Sequence, residues 1–309
     1  MTKWHLAILV SLLTMIGPFT IDTYLTAFES MEQDFVVSRA LMTQTLGAYI
    51  MAFAASTLVW GALTDSIGRK PVILLSIGGY VITSLACAIA TNFEQFLLFR
   101  ILQGLAIGGA LISGRAIVRD VLDTKDAQKV MALAMMLFSI SPVIAPVLGG
   151  FLHDFWGWRS IFWFLVIYGG AVFLYALIIV RESLNLENKK SIRIKEVTKV
   201  YIRTLKNPHY IRLVLVFTAA FSSFFVFIAG APTVVFDILG LDATSFYILF
   251  FPIVAGITLG SVVSNRLLNS YSATQIMHLS ICLMFVIAFI NLGLNFVADV
   301  SIARVVIPL

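Results

Sequence analysis

Residues 61–70 read GALTDSIGRK, an acid, two glycines and two bases packed into one turn between two apolar runs that are each long enough to cross a bilayer. The surrounding chain explains how unusual that is: of 309 residues 60% are hydrophobic and 12% charged, and the mean hydropathy is +0.98. Such a balance belongs to an integral membrane protein rather than a water-soluble domain. A hydrocarbon core of ~30 Å takes ~20 helical residues. Runs of that length follow one another, without the alternation a membrane strand would show.

Working outward from the turn, the pattern predicts spans at 5–28, 41–62, 72–91, 94–118, 130–152, 160–180, 212–234, 243–265 and 274–297, with the start of a tenth. The fold class is therefore all-α. One long polar segment, 181–211, divides a six-helix half (1–180) from an incomplete second half (212–309). Lys3 precedes an apolar stretch with no small-residue cleavage site, so the first run reads as a retained helix. Counting Lys and Arg on alternate sides puts 16 on the side of the N-terminus and 3 on the other, with Arg100 and Arg115 inside spans. The positive-inside rule then makes the N-terminus and the long linker cytoplasmic. Phe155, Trp156 and Trp158 form an aromatic anchor at the opposite interface. Ile194, Val197, Tyr201 and Leu205 recur at helical spacing among Lys195, Lys199, Arg203 and Lys206, as a basic amphipathic helix or as a solvated tether.

The net charge of +5 sits in loops, where topology accounts for it, and nucleic-acid binding is not expected. Cys87 and Cys282 lie in apolar runs and read as small core side chains. No metal-spaced His/Cys cluster and no phosphate loop occurs, and the spans hold no paired catalytic groups. Neither cofactor nor enzymatic activity is expected; energy must come from a gradient.

Taken singly, the residues of the turn have generic explanations. Gly61 and Gly68 permit close helix approach and unusual dihedrals, Asp65 can cap a helix or pair with a base, and Arg69 and Lys70 hold the loop on the cytoplasmic side. Their joint spacing, Gly61-x-Leu63-x-Asp65-x-x-Gly68-Arg69-Lys70, resembles the signature loop between the second and third helices of the major facilitator superfamily. RILQGLAIGGA places Arg100, Gln103 and Gly104 in the R-x-x-Q-G pattern of that family's fourth helix. SISPVIAPVLGG resembles its antiporter motif G-P-x-x-G-G with Ala145 in place of the first glycine; Pro142, Pro146, Gly149 and Gly150 would soften or kink the fifth helix. IDTYLTAF at 21–28, RAIVRD at 115–120 and GWRSIFWFL at 157–165 narrow the likeness to the Bcr/CflA drug-resistance exporters, with Thr26 where that group has proline. GITLGSVVSNRLL, with Gly260, Asn265 and Arg266, is a degraded counterpart of the turn in the second half.

The resemblance implies a monomeric, proton-coupled exporter in a bacterial inner membrane, surrounded by lipid, with small molecules and protons as partners. A metabolite carrier of the same fold is the alternative. The family has twelve helices and this sequence stops at SIARVVIPL, so a fragment or truncated product without transport is also expected.

Charges inside spans cost ~2.5–3.5 kcal/mol on insertion scales and ask for a partner or a watery cavity. Asp22 and Arg100 fall at similar depth, and both are expected to face a central cavity beside Tyr24 and Gln103, the acid as proton carrier; a static pair is the competing reading. Tyr49, Phe53, Phe138 and Phe224 could line an apolar pocket with Tyr24. Asp65, Arg69, Arg115, Arg119 and Asp120 are expected to cluster as a gate latch, by likeness to the family's loop.

Overall fold

A computed structural model describes residues 2–184, 194–267 and 270–297. Helices begin where a short polar side chain can take over their unpaired amides. Thr2 caps α1 (Lys3–Leu25), Ser38 caps α3 (Arg39–Ile67), Asn92 caps α5 (Phe93–Val121) and Asp123 caps α6 (Thr124–Trp156). The first expected span is shorter than its apolar run. The Thr26 hydroxyl donates to the Thr23 carbonyl (2.7 Å), and the chain turns into a separate short helix, α2 (Phe28–Phe35), which ends at Val36 in the left-handed region (φ 53°).

α4 (Arg69–Ala88) follows α3 with only Gly68 between them, and α7 (Arg159–Ile179) follows α6 after Gly157 and Trp158. The largest interfaces pair α3 with α5, α4 with α5, α1 with α6 and α4 with α7. Glycine allows the closest of them. A Cβ on Gly104 of α5 would run into the Tyr49 carbonyl of α3, and one on Gly149 of α6 into the backbone of Thr23 in α1. Hydroxyl and indole groups then fasten the packed backbones: Trp60 Nε1 donates to the Leu105 carbonyl (2.8 Å), and Thr64 and Ser113 share a 2.7 Å hydrogen bond.

Beyond α7 come α8 (Ile194–Leu205) and α9 (Pro208–Pro232), which continues as a π-helical turn, Thr233–Ile238. A 3₁₀ turn, Ala243–Phe246, leads into α10 (Tyr247–Leu267), and α11 (Ala273–Val297) follows. α10 and the 3₁₀ turn pack on α6, and α9 touches α1. Among the described residues nine helices are long and apolar enough to cross a membrane, six up to α7 and three after it. The expected start of a tenth lies outside the described residues. Cys87 is buried as expected, but Cys282 is exposed on α11, because the described segments do not cover that helix.

Candidate functional site

The turn at 61–70 is a compact charged lock. Gly68 adopts φ 117°, a region side chains avoid, which lets α3 reverse directly into α4. Arg69, nearly buried, donates from Nη1 to Asp65 Oδ1 (2.8 Å) and to the Thr64 carbonyl (2.6 Å), and from Nε to Asp120 Oδ2 (3.0 Å) at the end of α5. A residue missed in the sequence completes the lock: Glu182, just past α7, accepts from the backbone amides of Arg69 (2.9 Å) and Lys70 (3.1 Å). A carboxylate at the first turn of α4 satisfies amides that the helix leaves unpaired. Lys70 Nζ donates to the Leu177 carbonyl (3.1 Å), and Ser183 Oγ to Asp120 (3.1 Å), so the end of α7 is tied to the turn.

Two expectations about this cluster need correction. Arg115 and Arg119 are exposed and make no ion pair among the described residues. At 100° per residue they lie roughly 140° and 100°, respectively, around α5 from Asp120, on another face. Gly61 makes no close approach either, since a Cβ there would meet open space.

Arg100 on α5 is fully buried. The rings of Tyr24 and Tyr49 flank its guanidinium, with centroids 4.3 and 4.5 Å from Cζ, where each ring's quadrupole attracts the charge. Nη1 donates to Gln103 Oε1 (2.6 Å) and to the Thr20 carbonyl (3.4 Å); Gln103 in turn donates to Ser84 Oγ (2.7 Å). Thr20 and Tyr80 share a 2.6 Å hydroxyl contact, so α1, α3, α4 and α5 all contribute to this centre. Among the described residues Arg100 Nε and Nη2 have no hydrogen-bond partner.

Asp22 is also buried, with Oδ1 unpartnered among the described residues, and it forms no ion pair with Arg100. Helix geometry explains the separation. Arg100 touches Thr20 and Tyr24, one turn apart on a single face of α1, and Asp22 lies roughly 200° from Thr20 around that helix. Equal depth therefore does not bring the two charges together.

α6 runs unbroken through Pro142 and Pro146. Both prolines, Ala145, Gly149 and Gly150 are buried.

At the end of the molecule opposite the 61–70 turn, Arg39 pairs with Glu32 of α2 and donates from Nη1 to Asp237 Oδ2 (3.1 Å) in the π-helical turn. Asp34 accepts from Trp158 Nε1 (2.7 Å) and Arg159 Nη1 (3.0 Å), and those bonds hold its carboxyl below the usual carboxylate range. A polar cavity of about 490 Å³ beside them is lined by Glu29, Ser30 and His153 on one side and Phe236, Asp242 and Thr244 on the other. A second cavity of about 530 Å³ lies between α3 and α9, lined by Leu46, Ile50, Phe217, Phe221 and Phe225 with Thr43 and Ser222 among them. Of the expected pocket aromatics, Tyr24 and Tyr49 serve Arg100 instead, and neither they nor Phe53, Phe138 or Phe224 line these cavities.

Paired helices with no strand among the described residues, a charged reversal between the second and third long helices and a buried arginine in the fourth together define a multi-pass membrane protein of transporter architecture. The chain belongs to the Major Facilitator Superfamily, whose sequence profile matches residues 10–307. It is 31% identical over 247 residues to the uncharacterized MFS-type transporter YdgK of Bacillus subtilis, covering 79% of this chain and 61% of that protein. Multidrug resistance protein MdtL of Escherichia coli O157:H7 is 30% identical, with 80% and 62% covered. A bicyclomycin resistance protein homolog of Haemophilus influenzae is 24% identical, with 89% and 69% covered. The matched part of the chain thus spans about three fifths to two thirds of the length of these relatives. Among solved structures, a D-xylose-proton symporter superposes with a TM-score of 0.68 at 14% identity, covering 99% of this chain and 77% of that one. A bacterial homolog of the human lysosomal transporter Spinster, inward-facing and occupied, gives 0.65 at 20% identity, covering 87% and 62%.

Proposed function

We propose that the protein is a proton-coupled exporter of small, largely apolar compounds, working by alternating access in a bacterial inner membrane. In this reading the N-terminus, the 61–70 turn and the segment after α7 are cytoplasmic. Residues 1–180 and 212–309 are two halves joined by the linker 181–211, and one copy suffices. No bond is made or broken; the cargo is moved.

The observation that carries the reading is the pair of buried, separately housed charges in the membrane-spanning part. Arg100 is held by aromatic rings, whereas Asp22 has an oxygen without a partner among the described residues, on another face of α1. A charged side chain inside a span asks for a partner or water, so in this reading a change in the surroundings of Asp22 loads or releases a proton. Coupling to cargo then follows from linkage: whichever helix arrangement favours the neutral acid also binds cargo differently. In this reading Pro142 and Pro146 make α6 pliable, and Gly149 of that helix lies against Thr23 of α1, next to Asp22. The apolar cavity between α3 and α9 supports apolar cargo, and the drug-resistance names of two relatives favour export over metabolite uptake. The Arg69 lock supports a gate on the cytoplasmic side, with Asp65, Gly68, Lys70 and Asp120 as its parts.

The test is proton-driven accumulation of a lipophilic dye in proteoliposomes holding the complete reading frame, with and without Asp22→Asn. Loss of pH-driven accumulation with dye exchange retained is the expected result. Undiminished pH-driven accumulation in the variant would rule out the carrier role.

A further inference from the structure

We infer that Arg39 is a two-partner latch that holds the outer mouth shut, and that opening the outer face breaks its bond to Asp237 while its bond to Glu32 persists. The inference rests on the alternating-access reading above, which makes this end the outer one. Among the described residues, Arg39 with Asp237 is the one ion pair joining the helices up to α7 to the segment after them. The other pairs, including Lys3 with Asp126 and Arg159 with Asp34, stay within the first seven helices.

Three features make this contact a device rather than a chance surface pair. Arg39 is the first residue of α3 and its side chain is four-fifths covered, whereas Asp237 is about half exposed at the rim. The guanidinium also lies 5.6 Å from the centroid of Phe236, so two successive residues of the partner segment hold it, one by charge and one by its ring. Those two residues are presented by a π-helical turn placed directly after Pro232, and such turns are rare and frequent at functional sites.

Glu32 gives the latch its resting place. It belongs to α2, within the first half, so separation of the halves leaves the Arg39 charge paired instead of bare. The cost of opening is then only the differential loss of Asp237 and Phe236, small enough for cargo or a proton to offset. The polar cavity of about 490 Å³ sits directly beside the latch, with Phe236 in its wall, so release at this point would admit solvent to the space between the halves. α3 carries both charge centres, since Arg39 begins it and Asp65 stands near its other end, roughly 39 Å away at 1.5 Å per residue. A tilt of that one rigid helix would move the two in opposite senses.

The experiment measures outer-face opening without any cargo. Thr244→Cys, in the cavity wall, is introduced into the complete reading frame after every native cysteine is replaced by serine, and intact cells are treated with a membrane-impermeant maleimide. Arg39→Gln and Asp237→Asn should each raise the labelling rate about two- to fivefold, the range such a partly exposed pair is worth in population. Glu32→Gln should leave it unchanged or lower it, because Asp237 then holds Arg39 undivided. Cross-linking Arg39→Cys to Asp237→Cys should suppress labelling, and elution as a single size-exclusion peak verifies folding of every variant. Labelling unaffected by both latch variants, or raised equally by Glu32→Gln, overturns the latch. If labelling responds as expected while pH-driven dye accumulation is absent, the latch stands and the exporter reading fails.

Discussion

Gly149 of α6 lies so close to Thr23 of α1 that a single added methyl would overlap the Thr23 carbonyl, its carbon and its Cα. All three are backbone atoms, which cannot turn aside as a flexible side chain would. The two helices would have to part, and they form one of the largest interfaces in the molecule. Gly149→Ala should therefore destabilise the protein by about 1–3 kcal/mol, the usual cost of overpacking. Gly170→Ala, where nothing lies within 4 Å, should be neutral or stabilising by up to about 1 kcal/mol. Thermal unfolding of the purified variants in detergent compares them directly.

Arg69 and Arg119 are both basic residues at the same end of the helices, yet their surroundings differ. Arg69 supplies donors to Asp65, Asp120 and the Thr64 carbonyl; Arg119 is exposed and makes no ion pair among the described residues. Removing the first charge strands two carboxylates beside a carbonyl, so Arg69→Gln should cost about 1–3 kcal/mol. Arg119→Gln should stay within about 0.5 kcal/mol. If the two variants melt alike, the lock is only topological.

How far the sequence reveals such sites depends on whether the partners are near in the chain. Asp65 and Arg69 are four positions apart in the chain, and Gly68 is the residue type that a positive φ demands, so the turn is readable from its own ten residues. Glu182 is not, because it meets Arg69 across 113 positions of sequence. Nor can hydropathy separate α2 from α1: the apolar run continues to Phe28, and a hydroxyl bond of Thr26 ends the helix before it. For Asp22 and Arg100, counting residues along each helix gives depth but not rotation about the helix axis. Rotation decides that Tyr24, and not Asp22, faces the guanidinium.

Asp34 makes stability at the opposite end depend on pH. Hydrogen bonds from Trp158 and Arg159 depress its folded pKa below the unfolded value of about 3.9. A carboxyl with a depressed folded pKa contributes stability that is fully present above the unfolded pKa and is lost as pH falls through the folded one. The protein should thus lose stability in acid below about pH 4, and Asp34→Asn should flatten that acid limb while being less stable than the parent at neutral pH. Trp158→Phe removes the first-named donor and should move the limb towards higher pH. Melting temperature as a function of pH in detergent checks the sign; an acid limb identical in Asp34→Asn would assign it to other carboxylates.

Arg100 offers a sharper comparison because lysine keeps its charge and loses its shape. The guanidinium is a plane, and only a plane can lie between the rings of Tyr24 and Tyr49 while one edge donates to Gln103 and Thr20. Lysine offers a compact ammonium with no extended face, so it forfeits at least one ring and one acceptor in a fully buried site. Arg100→Lys should cost about 2 kcal/mol or more, as expected of desolvated cation–π contacts. Tyr49→Phe retains the ring and should cost no more than about 1.5 kcal/mol, a hydrogen bond's worth, whereas Tyr49→Ala removes the face and should approach the lysine variant. A double-mutant cycle over Arg100→Lys and Tyr49→Ala, read by thermal unfolding, should show the two losses to be strongly less than additive. Additive losses would mean that the ring and the guanidinium pack side by side without holding one another.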